Sequence, residues 1–193
     1  MSEELPLFPL KTVLFPGGLL PLRIFEQRYM EMAKACLREG SAFGVCLIRE
    51  GAEVGAPATP HSVGCLARIA TWDMPQLGVL HITARGERRF RIVETRNQPD
   101  GLIRADVQLL SPDVDSEIPE ACAACVRLLE RVIEQQPALF QPPHELASSA
   151  WVSARLTEVL PLPLEAKQEL LELGDARARL ERLNALLGGR AES

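Results

Sequence analysis

The 193-residue sequence holds only three lysines, Lys11, Lys34 and Lys167, and no glycine-rich run leads into any of them. A phosphate-cradling loop needs glycines followed by Lys and Ser/Thr. The pairs Gly17-Gly18 and Gly188-Gly189 supply neither the spacing nor the lysine, which sets nucleotide hydrolysis aside. No Gly-x-Ser-x-Gly elbow exists for a serine hydrolase. The three histidines, His61, His81 and His144, are too scattered to nominate a general base. No run approaches the roughly 18 apolar residues of a membrane span. The opening Met1-Ser2-Glu3-Glu4 lacks the basic start of a secretory signal, so the expected location is the cytoplasm and no membrane partner is expected. The five cysteines, Cys36, Cys46, Cys65, Cys122 and Cys125, are an odd number, which fits thiols better than a disulfide framework.

What is present is ordinary globular material, 47% apolar and 24% charged. The net charge of −5 is unevenly spread: residues 1–111 carry 13 basic and 12 acidic side chains, residues 112–193 carry 8 and 14. Neither part has the basic surplus of a nucleic-acid footprint, so nucleic acid is not expected as a partner.

Up to residue 111 the pattern is β-rich. Leu5-Pro6-Leu7-Phe8-Pro9-Leu10 reads as an edge strand or irregular extended segment, because proline cannot donate to a ladder. Pro16-Gly17-Gly18 is a turn, and Leu19 to Ile24 continues extended. From Phe25 to Arg38, apolar residues at steps of three and four (Phe25, Tyr29, Met32 or Ala33, Cys36) predict a helix with Glu26 in its first turn and Gly40 as its stop. Ala42 to Ile48 reads as a buried strand and Gly51 to His61 as a loop. Val63 to Trp72 and Val79 to Ala84 read as strands around a turn at Asp73 to Gln76. Gly86-Glu87 is a second turn before Arg89 to Ile92, and Ile103 to Leu110 is a last strand. An acidic, proline-containing linker is expected at 112–119, after which the period changes from 2 to 3.6. Helices are expected over Glu120–Gln136, His144–Leu160, Leu164–Leu173 and Asp175–Leu187. The expected fold is therefore α+β: a β-rich lobe carrying one helix (1–111), a linker (112–119) and an all-α bundle lobe (120–193).

Several residues invite chemistry and have a plainer reading. Ser148, Ser149 and Ser153 precede Lys167, but helix serines usually face solvent or bond back to their own helix. Cys122-x-x-Cys125 is one pair where structural zinc wants four ligands, and it shares a stripe with Leu129 and Val132, so it reads as core. No metal site and no cofactor are expected. Arg85, Arg88, Arg89 and Arg91 alternate with Phe90 and Ile92 and read as the solvated face of a hairpin. Trp151 falls in a helical stripe and is expected in the core. Trp72, beside a turn, reads equally as a binding anchor or as shelter for the turn.

Leu5-Pro6-Leu7-Phe8-Pro9-Leu10, Val13-Leu14-Phe15-Pro16-Gly17, Leu20-Pro21-Leu22 and Ile24-Phe25-Glu26-x-Arg28-Tyr29, in that order, resemble the opening of the N-terminal domain of Lon proteases. The resemblance continues through Gly64 and Gly86-x-x-Arg89-Phe90-x-Ile92 to Leu160-Pro161-Leu162, Lys167-Gln168-x-Leu170-Leu171 and Arg179-Leu180. It implies a PUA-like pseudobarrel followed by a helical lobe. It implies a role in holding peptide segments or partner proteins, without the ATPase and peptidase modules of full Lon proteases, so no catalysis is expected. Its motif positions Pro6, Phe8, Pro9, Pro21, Phe25, Glu26, Arg28, Tyr29, Gly86, Arg89 and Phe90 read as structural, with Phe25, Tyr29 and Phe90 in the core and Glu26 and Arg28 capping or pairing at the helix start. A fold signature of prolines and apolar residues marks architecture more than an active site.

The leading expectation is a non-catalytic module for unfolded or extended protein segments, or for a dedicated partner protein, in an apolar groove between the lobes near Phe15, Pro16, Trp72 and Met74. An RNA-binding PUA-like module and an uncatalogued hydrolase or metal enzyme are the alternatives.

Overall fold

In the computed structural model, which describes residues 2–188, the contacts divide the chain between Leu110 and Ser111. Met1 and residues 189–193, the end of the expected helical lobe, lie outside the described residues.

The first unit is built on β1 (Ser2–Leu10), β2 (Leu19–Ile24), α1 (Gln27–Glu39), β3 (Phe43–Glu50), the short β4 (Thr59–Pro60), β5 (Val63–Gln76), β6 (Val79–Asn97) and β7 (Ile103–Leu109). Hydrogen bonding runs β1-β7-β6-β5-β3, and a parallel pairing of β3 with β1 closes the ring. The proline-containing first segment is thus not an edge. Its residues Ser2 to Leu7 pair with β7, and Leu7 to Leu10 pair with β3. Pro6 and Pro9 each fall where only one side is used, so each can turn its missing donor away from the ladder.

Two expected turns also move. β5 runs on through Asp73 to Gln76 and turns at Leu77-Gly78, where Gly78 has φ 81°. β6 passes straight through Gly86. A Cβ there would meet the Phe15 carbonyl oxygen at 2.2 Å, so Gly86 serves close backbone approach and not a turn. Gly17, with φ 76°, does hold the Pro16-Gly17 turn. α1 begins after an extended Glu26, two residues later than the spacing predicts, and ends at Gly40 in the left-handed conformation. Phe25 consequently lies before the helix and is 55% exposed, not core. The core gathers Phe8, Leu10, Leu14, Ile24, Tyr29, Met32, Phe43, Leu80 and Ile82. A second cluster packs Leu7, Cys46, Ile103 and Val107 around Phe90. Arg89 is buried, while Arg85, Arg88 and Arg91 are exposed, so the basic hairpin face is solvated only in part.

The second unit comprises α2 (Ala123–Gln135), α3 (Ser149–Val159), α4 (Leu164–Glu172) and α5 (Ala176–Gly188), with a 3-10 turn at Glu120–Cys122. Residues 112–119, expected as a linker, are fastened within it: Val114 bridges to Asp175, and Glu117 to Ser148. α3 starts later than expected because Ser148 caps it, accepting from the Trp151 N–H at 3.0 Å. Trp151 therefore sits in the first turn, half-buried beside His144, instead of in the core. Arg179 on α5 is fully buried. It donates to the carbonyls of Leu170 (2.9 Å) and Leu173 (2.7 Å) and pairs with Asp113.

Candidate functional site

Strand alternation and the delayed helix together open a cleft of about 290 Å³ in the β-rich unit. Leu20, Leu22 and Ile24 of β2 form one wall and Phe8 and Leu10 of β1 another, with Tyr29 of α1 at the floor. Phe8 and Tyr29 stack there with centroids 4.0 Å apart. Phe25 and Val54 stand at the mouth, 55% and 57% exposed. Single exposed apolar residues need no explanation, but two flanking one cleft make it a candidate contact surface.

Charge around the cleft is placed by one buried arginine. Arg28 donates to the Gly101 carbonyl (3.0 Å) and to Glu26 (2.9 Å), and its guanidinium lies 4.7 Å from the Tyr29 ring centroid. Glu26 thus pairs with Arg28 and makes no side-chain cap of α1. Burial pushes the Tyr29 phenol above its ordinary pKa, with Arg28 pulling the other way. Glu53, also on the rim, accepts from the Lys11 backbone N–H.

A second cavity of about 520 Å³ lies beside the same strand. The rows Pro21–Thr83–Thr71 and Arg23–His81–Asp73 run across β2, β6 and β5 and line it. Pro21, Leu22 and Arg23 line both cavities.

Of the residues expected to bind, Phe15 is fully buried and offers no surface. Pro16 is half-buried, and neither of the two lines either cavity. Trp72 lines the second cavity and is 60% exposed; Met74 is exposed nearby in sequence on β5. Of the residues read as structural, Phe8, Pro21, Phe25, Glu26 and Tyr29 line the apolar cleft. The remaining chemical candidates are occupied differently. Ser149 donates to the Glu117 carbonyl and Ser153 to the Ala150 carbonyl, while Lys167 donates to the Glu158 carbonyl (2.9 Å) and to none of the three serines. Cys122 and Cys125 are buried free thiols, and burial raises both, Cys125 to about 11. A buried thiol held neutral is a poor nucleophile and ligand.

Comparison with known proteins gives the cleft its context. The family model for the ATP-dependent protease La (LON) substrate-binding domain matches residues 4–188. The chain belongs to this Lon domain family. It is 30% identical to Lon protease 2 of Myxococcus xanthus over the whole chain and 31% identical to Lon protease of Methylocella silvestris over 93% of it. It spans only 24% and 23% of those relatives' lengths. Among solved structures, a Lon N-terminal domain protein from Xanthomonas campestris superposes with a TM-score of 0.80 at 38% identity, covering 95% of this chain and 98% of that one. The N-terminal domain of Mycobacterium avium complex Lon protease matches at 19% identity and TM-score 0.62, covering 93% and 95%, a likeness of fold. The mixed α+β architecture is that of these Lon N-terminal domains.

The Lon-like run Phe25-Glu26-x-Arg28-Tyr29 contributes three of its residues to the cleft, and Arg28 contacts two of them, Glu26 and Tyr29. The signal that could have revealed this was the phase of β2. Ile24 is an inward position, so an extended Phe25 must point outward.

Proposed function

We infer that the β-rich unit binds extended, apolar-rich protein segments in the cleft between β2, β1 and α1. The observation that carries this is the pair of exposed residues, Phe25 and Val54, at the mouth of an apolar cavity floored by stacked rings. A folded protein buries most of its large apolar side chains, whereas an unfolded one offers them, so such a mouth selects chains that have lost or not yet gained structure. The family's description as substrate-binding and the relatives' names as proteases agree with protein segments as the ligand. Holding a segment needs no reacting group, and the unit acts here as a recognition element without catalysis of its own. The five free thiols suit a reducing compartment, and we read the domain as cytoplasmic.

The test is binding of a reduced, carboxymethylated protein that cannot refold, followed by fluorescence anisotropy. Covering Phe25 and Val54 removes their apolar surface from water, so Phe25→Ser with Val54→Ser should weaken binding by about tenfold or more. The native form of the same protein should not compete. Equal binding by the double variant would remove the cleft from this role.

A further inference from the structure

Among the described residues β2 pairs with β6 alone, and no strand lies on its other edge. The hydrogen-bond phase of that edge can be read. The Gly86 N–H donates to the Gly18 carbonyl at 2.9 Å, and the register from Leu19–Arg85 to Ile24–Leu80 runs without a shift. In an antiparallel pair, alternate residues turn their backbone groups to the partner. Leu20, Leu22 and Ile24 therefore face β6, while Leu19, Pro21 and Arg23 face the open edge. Pro21 fits that phase, because the donor it lacks is one β6 does not need. The edge still offers the carbonyls of all three residues and the N–H groups of Leu19 and Arg23.

The two faces beside this edge differ in chemistry. One is the apolar cleft, with Glu26 and Glu53 on its rim. On the other, Arg23 and Arg85 are exposed, and His81 lies between Arg23 and Asp73 in the cross-strand row. Both cavities include Pro21, Leu22 and Arg23, so both open at this edge.

We propose that the ligand segment adds as a strand to the free edge of β2, and that the site selects segments alternating apolar with acidic residues. This rests on the reading of the cleft as a binder of extended segments and names how and which. An added strand continues the alternation of the sheet. Its residues on the Leu22 side enter the cleft and are best apolar, to match Leu20, Leu22, Ile24, Phe8 and Leu10 there. Its residues on the Arg23 side meet Arg23, with Arg85 one strand further in, and are best acidic. Pro21 removes one donor, which weakens the edge against indiscriminate pairing.

The experiment uses the whole chain and ten-residue dye-labelled peptides that alternate valine with aspartate or valine with lysine, together with the carboxymethylated protein as a reference. The aspartate peptide should bind at least about fivefold more tightly than the lysine peptide, and Arg23→Glu should reverse that order. N-methylation of the peptide backbone at one alternate set of residues should abolish binding, while methylation of the other set leaves it. The harmful set is the aspartates for an antiparallel guest and the valines for a parallel one. If peptides and unfolded protein bind but charge pattern and N-methylation make no difference, strand addition is overturned and the cleft remains. If neither binds, the cleft reading itself fails, and this proposal with it.

Discussion

The two units depart from an apolar inside and a polar outside in opposite ways. Among the described residues, six of the eight buried polar or charged side chains (Ser149, Ser153, Arg155, Thr157, Gln168 and Arg179) belong to the helical unit. Six of the nine exposed large apolar ones (Phe25, Val54, Trp72, Met74, Leu77 and Val93) belong to the β-rich unit. Polar groups inside must be satisfied geometrically, so they fix one arrangement of helices. Apolar groups outside forgo stabilisation, and where they border a cavity, as Phe25, Val54 and Trp72 do, they call for a partner to cover them. The contrast divides labour: the helical unit spends its irregularity on its own architecture, the β-rich unit on a surface.

The contrast breaks most sharply at Arg179. Its guanidinium satisfies the Leu170 and Leu173 carbonyls and the Asp113 carboxylate from a fully buried position. Arg179→Ala leaves those acceptors without their donor and should cost about 3–5 kcal/mol. Denaturant unfolding followed by helical circular dichroism reads this. A cost under about 1 kcal/mol would mean that apolar packing alone holds the helical unit. Removing the charge partner as well, with Arg179→Met and Asp113→Leu together, should recover part of the loss.

The β-rich unit has its own position without slack at Gly86, where the neighbour is the Phe15 backbone and not a flexible side chain. Gly86→Ala should destabilise by about 1–3 kcal/mol through overpacking. Thermal unfolding measures it. A neutral result would mean that the Phe15 segment moves freely against β6, contrary to the Gly17 N–H to Gly86 carbonyl bond at 2.8 Å.

Most of the fold was legible because period and punctuation carry it. Most strands and helices fall close to their expected places, and the mixed α+β architecture was reachable through the family resemblance. What was illegible was mostly long-range. No local pattern says that β1 is paired on both sides at Leu7, since two prolines argue for an edge. Gly86 looks like any turn glycine until the Phe15 carbonyl is placed over it. Phe15 was read as a contact residue from its Pro-Gly neighbours, yet it is the buried side of that turn. Phe25 was read as core because a spacing of four to Tyr29 fits a helix, whereas its backbone neighbour Glu26 is extended. Of the cleft, the sequence showed the motif that builds it but not which members face outward.

A smaller effect separates the units by pH. Burial alone would raise the Asp115 carboxyl, but hydrogen bonds from the Ala150 N–H (2.9 Å), Ser148 and the Ser116 N–H (2.8 Å) override it and hold it below the usual carboxylate range. A depressed acid contributes stability above its unfolded pKa and loses it as pH falls through the folded one. Asp115→Asn should therefore weaken the protein modestly at neutral pH, because the site is exposed and screened. The gap to the parent should close in acid. Unfolding midpoints across an acid series check this, and a gap constant down to strongly acid pH would show that the charge is not what the three donors hold.

The smallest effect on stability is expected at Phe25, and it sharpens the comparison most. Its ring is already 55% exposed in the folded chain, so Phe25→Ser removes surface that water largely sees in both states. Thermal stability should change by no more than about 0.5 kcal/mol. Phe90, fully buried between Gly44 and Gly64, makes the opposite control, with Phe90→Ala costing about 3–5 kcal/mol. If Phe25→Ser destabilised as Phe90→Ala does, Phe25 would be a packing residue and the cleft mouth a by-product of the fold. A neutral change in stability joined to lost binding of unfolded protein would separate the two kinds of phenylalanine, one present for the barrel and one for what the barrel holds.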